Sequence, residues 1–174
     1  MRTKKFLALL LALALMLSTG SVFAYDDGVV FDHDTTWADG ERLFAATVAG
    51  TTTVTVAGTV NVEDTITITG DVTINGGTLK RTSAAGTLLR VNEGAKLELN
   101  DVTIDGDNIE ISAGAAIYIV GGTAVMNGGE IINHKKTGGS DGSAVCISGG
   151  KFTLNGGTIK NCETKKKSDT TKST

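Results

Sequence analysis

The chain has 174 residues and a formal charge of −3, a size that suits one domain and a balance that gives no reason to expect a nucleic-acid partner. Aromatic residues make up only 5%, Pro is absent, and Gly, Thr, Val and Ile recur. That composition excludes a core built on large rings and favours β structure packed through small aliphatic side chains.

The N-terminus carries a targeting pattern. Arg2, Lys4 and Lys5 precede an apolar run from Phe6 to Leu17, followed by small residues and by Val22-Phe23-Ala24. Residues 1–24 therefore read as a secretory signal peptide cut after Ala24. The apolar run is shorter than the roughly 20 residues a membrane span needs. The expected product is secreted or held at the cell surface, with no membrane span left after cleavage.

Residues 25–50 read as a leader and a cap. Asp26, Asp27, Asp32 and Asp34 surround His33, and the leading reading is an exposed acidic segment rather than a metal site. Val29-Val30-Phe31 suits a short strand. Thr36 with Asp39 three residues later resembles a capping box, and Trp37, Leu43 and Phe44 fall near one face. The spacing predicts a short amphipathic helix over 36–47, placed to cover the first end of a stacked sheet.

From Thr51 the apolar period becomes two. Val54, Val56, Val60, Val62, Ile66, Ile68, Val72 and Ile74 alternate with polar residues, as in strands with one buried face. One phrase then recurs. Val72-Thr73-Ile74-Asn75-Gly76-Gly77-Thr78-Leu79 returns as Ala124 to Ile131 and as Phe152 to Ile159, and more loosely as Leu97 to Ile104. Its asparagines are Asn75, Asn100, Asn127 and Asn155, about 25–28 residues apart. Each phrase follows another strand, at Ile66–Ile68, Leu89–Val91, Ile117–Ile119 and Val145–Ile147. A fixed period of this length marks a solenoid. The expected fold is all-β: a right-handed parallel β-helix of about four coils over residues 51–160, with a short N-terminal capping helix. Inward columns should run Ile68–Val91–Ile119–Ile147 and Ile74–Leu99–Met126–Leu154. The Asn column is expected at a sharp bend, in the left-handed conformation, with its amides stacked. Segments 80–87, 105–115 and 132–143 read as variable loops, with His134-Lys135-Lys136 solvated. Residues 161–174 read as a solvated Lys/Ser/Thr tail.

These repeats resemble the right-handed β-helices of the pectin-lyase-like superfamily. The last coil is similar to repeat-bearing bacterial surface adhesins of the polymorphic membrane protein type. Gly142-Ser143-Ala144-Val145 nearly matches their Gly-Gly-Ala-aliphatic element, and Phe152-Thr153-Leu154-Asn155 matches their Phe-x-x-Asn element. Val72, Leu97 and Ala124 stand where Phe would in the other coils. The resemblance implies a non-catalytic adhesion or structural module, the first part of a longer surface protein, touching extracellular carbohydrate or a cell-surface protein. The competing class is a truncated polysaccharide lyase or glycoside hydrolase.

Reading outward columns tests that alternative. Thr67–Arg90–Tyr118–Cys146 and Thr69–Asn92–Val120–Ser148 carry no carboxylate, and Thr73–Glu98–Val125–Thr153 carries one, whereas glycoside hydrolysis uses a close pair. Arg90 and Tyr118 are neighbours on adjacent coils and form the candidate ligand contact, through stacking and hydrogen bonding. Packing on a half-exposed face competes with that reading. Asp105 and Asp107 are the candidate calcium ligands, although the longer calcium-loop pattern is missing, and no other cofactor is expected. Cys146 and Cys162 are a candidate disulfide that an oxidising compartment would permit. The final phrase has no coil after it and no strong cap, so self-association through that open end is expected.

Overall fold

The computed structural model describes residues 24–25, 28–31, 52–139 and 141–165. The helix expected over 36–47, and most of the segments read as signal peptide and as tail, lie outside these residues. The chain winds as a parallel β-solenoid of about four turns. Strands β1 (Ala24–Tyr25) and β2 (Gly28–Phe31) pair antiparallel, and β2 then lies parallel on β3 (Thr52–Val56). A strand at Val29–Phe31 is thus present, as the apolar run there suggests. β4 (Thr59–Val62) completes this partial first turn.

The next turn contains β5 (Ile66–Ile68), β6 (Asp71–Asn75) and β7 (Thr78–Arg81). Then come β8 (Leu89–Val91), β9 (Lys96–Asn100), β10 (Val102–Asp105) and β11 (Glu110–Ile111). β12 (Ile117–Met126), β13 (Gly129–Ile132) and β14 (Lys135–Lys136) form the following turn. β15 (Val145–Leu154), β16 (Thr158–Lys160) and β17 (Glu163–Thr164) form the last.

The register bears out the expected columns. Ile68 pairs with Val91, Val91 with Ile119, and Ile119 with Ile147. Ile74, Leu99, Met126 and Leu154 succeed one another in the same way. A third column runs Val60–Leu79–Ile104–Ile131–Ile159. Among the described residues the interior is almost wholly Val, Ile, Leu and Ala, with Met126 the one sulfur-bearing side chain fully buried among them. Branched side chains suit this geometry, because coils stack at about 4.8 Å and each column position must fill the same narrow layer.

The Asn column is a hydrogen-bonded ladder. Nδ2 of Asn100 donates to Oδ1 of Asn75, Asn127 to Asn100, and Asn155 to Asn127, each at 2.8 Å. Its backbone role is not the expected one. None of these four residues has a positive φ, and Asn75 and Asn100 end strands. The left-handed positions are the residues just after them: Gly76 and Gly77, Asp101, Gly129 and Gly157. Asn holds the bend through its amide, and its successors make the turn. At Gly129 an added Cβ would run into the backbone of Val102 in the coil below, so this position needs Gly on steric as well as conformational grounds.

Two further departures have physical causes. In the last two turns the first and second strands fuse into the ten-residue β12 and β15, because Gly121 and Gly150 take positive φ and absorb the bend within a continuous ladder. The register shifts there, so Val120 faces Gly149 and not Ser148, and the second outward column breaks. The loops at 105–115 and 132–143 also carry β11 and β14, which with β17 make a third parallel sheet. Two-residue strands leave no readable alternation.

Substituting Asn127 tests the ladder. Asn127 donates to both Asn100 and Glu98 and accepts from Asn155. Asn127→Ala should cost about 1 kcal/mol, seen as a lower denaturant midpoint with unchanged slope. Asn155→Ala, at the end of the ladder, should cost less. Equal losses would show that the ladder is not the source.

Candidate functional site

Arg90 and Tyr118 project outward from β8 and β12, where strict alternation sends Leu89, Val91, Ile117 and Ile119 into the core. The register sets them side by side, with Thr67 below and Cys146 above. The Arg90 guanidinium carbon lies 5.5 Å from the Tyr118 ring centroid. Nε of Arg90 donates to Oδ1 of Asn92 at 3.1 Å, which holds the guanidinium over the ring.

This column is the floor of a cleft of about 530 Å³. Its wall comes from the stacked segments that lead into these strands: Gly86-Thr87 before β8, Ala113-Gly114 before β12, and Lys136 and Asp141 before β15. Thr65 closes the lower end, its hydroxyl donating to the Thr87 carbonyl at 2.6 Å. Both Gly86 and Gly114 lack a side chain, which keeps that wall low. The volume falls in the range typical of small-ligand sites.

Lys136 is the residue that pattern reading missed. Expected to be solvated, its side chain is only 4% exposed, with Nζ 3.6 Å from an Asp141 carboxylate oxygen that is itself well exposed. β14 turns Lys136 inward to follow Ile111 in the third sheet, so its long stem packs with the ammonium beside Asp141, and both residues line the cleft. A Lys-Lys pair in a loop carries no sequence signal for this. The cleft lining therefore holds two cations and one carboxylate around an aromatic face.

The other candidate residues, Cys146 excepted, lie apart from this cleft. Asp105 accepts hydrogen bonds from the Asp107 backbone N–H at 2.8 Å and from Asn133 Nδ2 at 3.0 Å, and Asp107 pairs with Lys80 at 3.2 Å. Both carboxylates thus serve a turn and its neighbours. Among the described residues no group of three or more His, Cys, Asp or Glu side chains converges as a metal cluster would. Glu98 is tied to Lys96 and to Asn127. Cys146 and Cys162 are separate thiols: Cys146 lines the cleft, while Cys162 packs against the core near the carbonyls of Ile131 and Lys160. Desolvation raises the pKa of both, and Asp141 adds to the rise at Cys146, so neither is a reactive thiolate at neutral pH.

No protein-family model, curated protein or solved structure matches this chain. Geometry and chemistry are therefore what define the site.

His134, expected in solvent, is 1% exposed. Burial, with Arg81 adding repulsion, lowers its pKa to about 4, against weaker opposing effects of the Ile104 carbonyl and Asp105. The unfolded chain, with an ordinary value near 6.5, takes up this proton first as pH falls. Stability should therefore be full above about pH 6.5, decline between 6.5 and 4, and level off below 4, a total on the order of 3 kcal/mol. Denaturation midpoints from pH 8 to pH 4 check this, and His134→Leu should remove much of the decline.

Proposed function

We propose that this chain is a secreted or cell-surface, non-catalytic right-handed β-helix of the pectin-lyase-like kind, the first module of a longer adhesin-type surface protein, and that its cleft binds an acidic sugar. The observation that carries the reading is the cleft floor, where Arg90 lies over the Tyr118 ring beside the recessed Lys136. An aromatic face suits the C–H surface of a pyranose, and two cations suit its carboxylate or sulfate. The exposed Asp141 is free to swing from Lys136 when such an anion arrives. With a single carboxylate in the lining, the cleft lacks the closely spaced acid pair of a glycoside hydrolase.

A glycan array of acidic and neutral oligosaccharides, probed with the mature protein, tests this. Selective retention of acidic glycans without turnover is expected, with Arg90→Ala and Tyr118→Ala each weakening binding about tenfold or more, near 1.4 kcal/mol. Release of unsaturated or reducing sugars would overturn the non-catalytic reading in favour of a truncated lyase or hydrolase. A second arm with and without calcium addresses the Asp105–Asp107 turn.

The alternative to a solenoid that continues past residue 165 is self-association through its far end. Ile147, Leu154 and Ile159 are 49%, 46% and 39% exposed, while Ile119, Met126 and Ile131 directly beneath them are fully buried. Two copies should meet through these like ends about a two-fold axis. Light scattering should show a dimer that grows with concentration and reverts to monomer in Leu154→Asp. A monomer at all concentrations would count against it.

A further inference from the structure

A second polar site lies inside the solenoid, away from the cleft lining. Arg81 ends β7 and is 3% exposed, and His134, just after β13, is 1% exposed. They occupy one corner of the coil stack. Lys80 pairs with Asp105, and Asp105 with Ile132, so Arg81, Gly106 and Asn133 follow one another up the corner, with His134 next in the chain. The proximity is felt electrically, since the Arg81 charge disfavours protonation of His134. Between them stands Gly106, which contributes no side chain and packs its backbone directly beneath Asn133 and His134.

The hydrogen bonding of this corner is incomplete. Arg81 uses Nη1 to donate to the Ala85 carbonyl, but its Nε and Nη2 have no partner. Neither imidazole nitrogen of His134 makes a well-formed hydrogen bond, although the Ile104 carbonyl lies close enough to act on the ring. The charged neighbours do not complete the set. Oδ1 of Asp105 already receives the Asp107 N–H and Asn133 Nδ2, and Asp107 pairs with Lys80. Cys162, in the coil above His134, points its thiol at the Ile131 and Lys160 carbonyls. No ion pair to Arg81 occurs among the described residues.

A guanidinium keeps its charge at any ordinary pH, and a buried charge without a counter-charge is strongly unfavourable. The unpartnered groups are mostly donors: the Nε–H and Nη2–H groups of Arg81 and one N–H of His134. What is missing is an acceptor that is negative and small enough for the interior. We propose that Arg81 and His134 form an internal binding site for a small monovalent anion of halide size. The anion neutralises Arg81, accepts from both side chains, and ties the coil of β7 to the coil of β13 across Gly106. Water would satisfy the donors but leave the charge uncompensated, which is the distinction the experiment must draw.

Thermal unfolding of the full chain at fixed ionic strength, exchanging sodium chloride for sodium methanesulfonate, reads the site directly. The transition should rise with the logarithm of chloride concentration once the site is filled, by about 3–6 °C at tenfold the dissociation constant. Arg81→Met should abolish that dependence, whereas Arg90→Met, in the cleft, should retain it. Crystals grown in sodium bromide should show an anomalous peak between Arg81 and His134. Equal transitions in the two salts, or ordered water alone between these side chains in bromide, would overturn the proposal. If Arg81→Met fails to fold, the wild-type salt comparison and the bromide peak still decide it.

Discussion

Vertical register is the constraint on which the rest depends. Each coil presents a parallel ladder to the next, so a residue's neighbours are its equivalents about 25–28 positions away in the chain. Ile74 meets Leu99, Asn75 meets Asn100, and Thr73 meets Glu98 in one stretch of pairing. A slip by one residue would turn every aliphatic outward and every polar group inward. The Asn ladder adds a directional lock, since three successive 2.8 Å bonds exist only when the four bends coincide. Stacked amides inside a bend also supply partners for polar atoms that the turn would otherwise leave short of them.

Register also explains why the cleft can exist. A solenoid face is nearly flat, and a flat face makes a poor ligand site. Here relief comes from the connections, which differ in length from turn to turn. The short segments at Gly86 and Gly114 lead into the strands of Arg90 and Tyr118, and the longer excursion through Lys136 and Asp141 stacks on the same side in the next coil. The ladder places the floor, and variation in the loops builds the wall.

That division marks how far the sequence could be read. Alternation and a fixed repeat identify columns, because both are set by the backbone alone. The core columns and the Arg90–Tyr118 neighbourhood were legible for that reason. Loop residues have no such rule. Lys136 and His134 look like solvated cations in the string, and only the short β14, invisible to a two-residue alternation, turns Lys136 inward, with the buried His134 just before it. The asparagines mislead in a different way. Asn is a frequent left-handed residue, yet here the ladder requires its side chain, and the positive φ passes to the following Gly or Asp. Asn133 and Asn161 do take positive φ, at another corner where only a 3.5 Å contact links them. One residue type serves two bends by two different means.

The buried polar corner shows where repetition gives out. An ideal column would continue Val62 with further aliphatics, but Arg81 sits on Val62, and beyond it come Gly106 and then Asn133 with His134. Solenoid cores tolerate very few such breaks, because each layer is one residue thick and cannot rearrange without moving its neighbours. A charged residue kept in that position, with an imidazole held neutral two coils away, needs a reason stronger than packing. Packing would be better served by Leu or Val at both sites. A counter-ion supplies the reason: it turns two unfavourable burials into one internal bridge between coils that share no side-chain contact through Gly106.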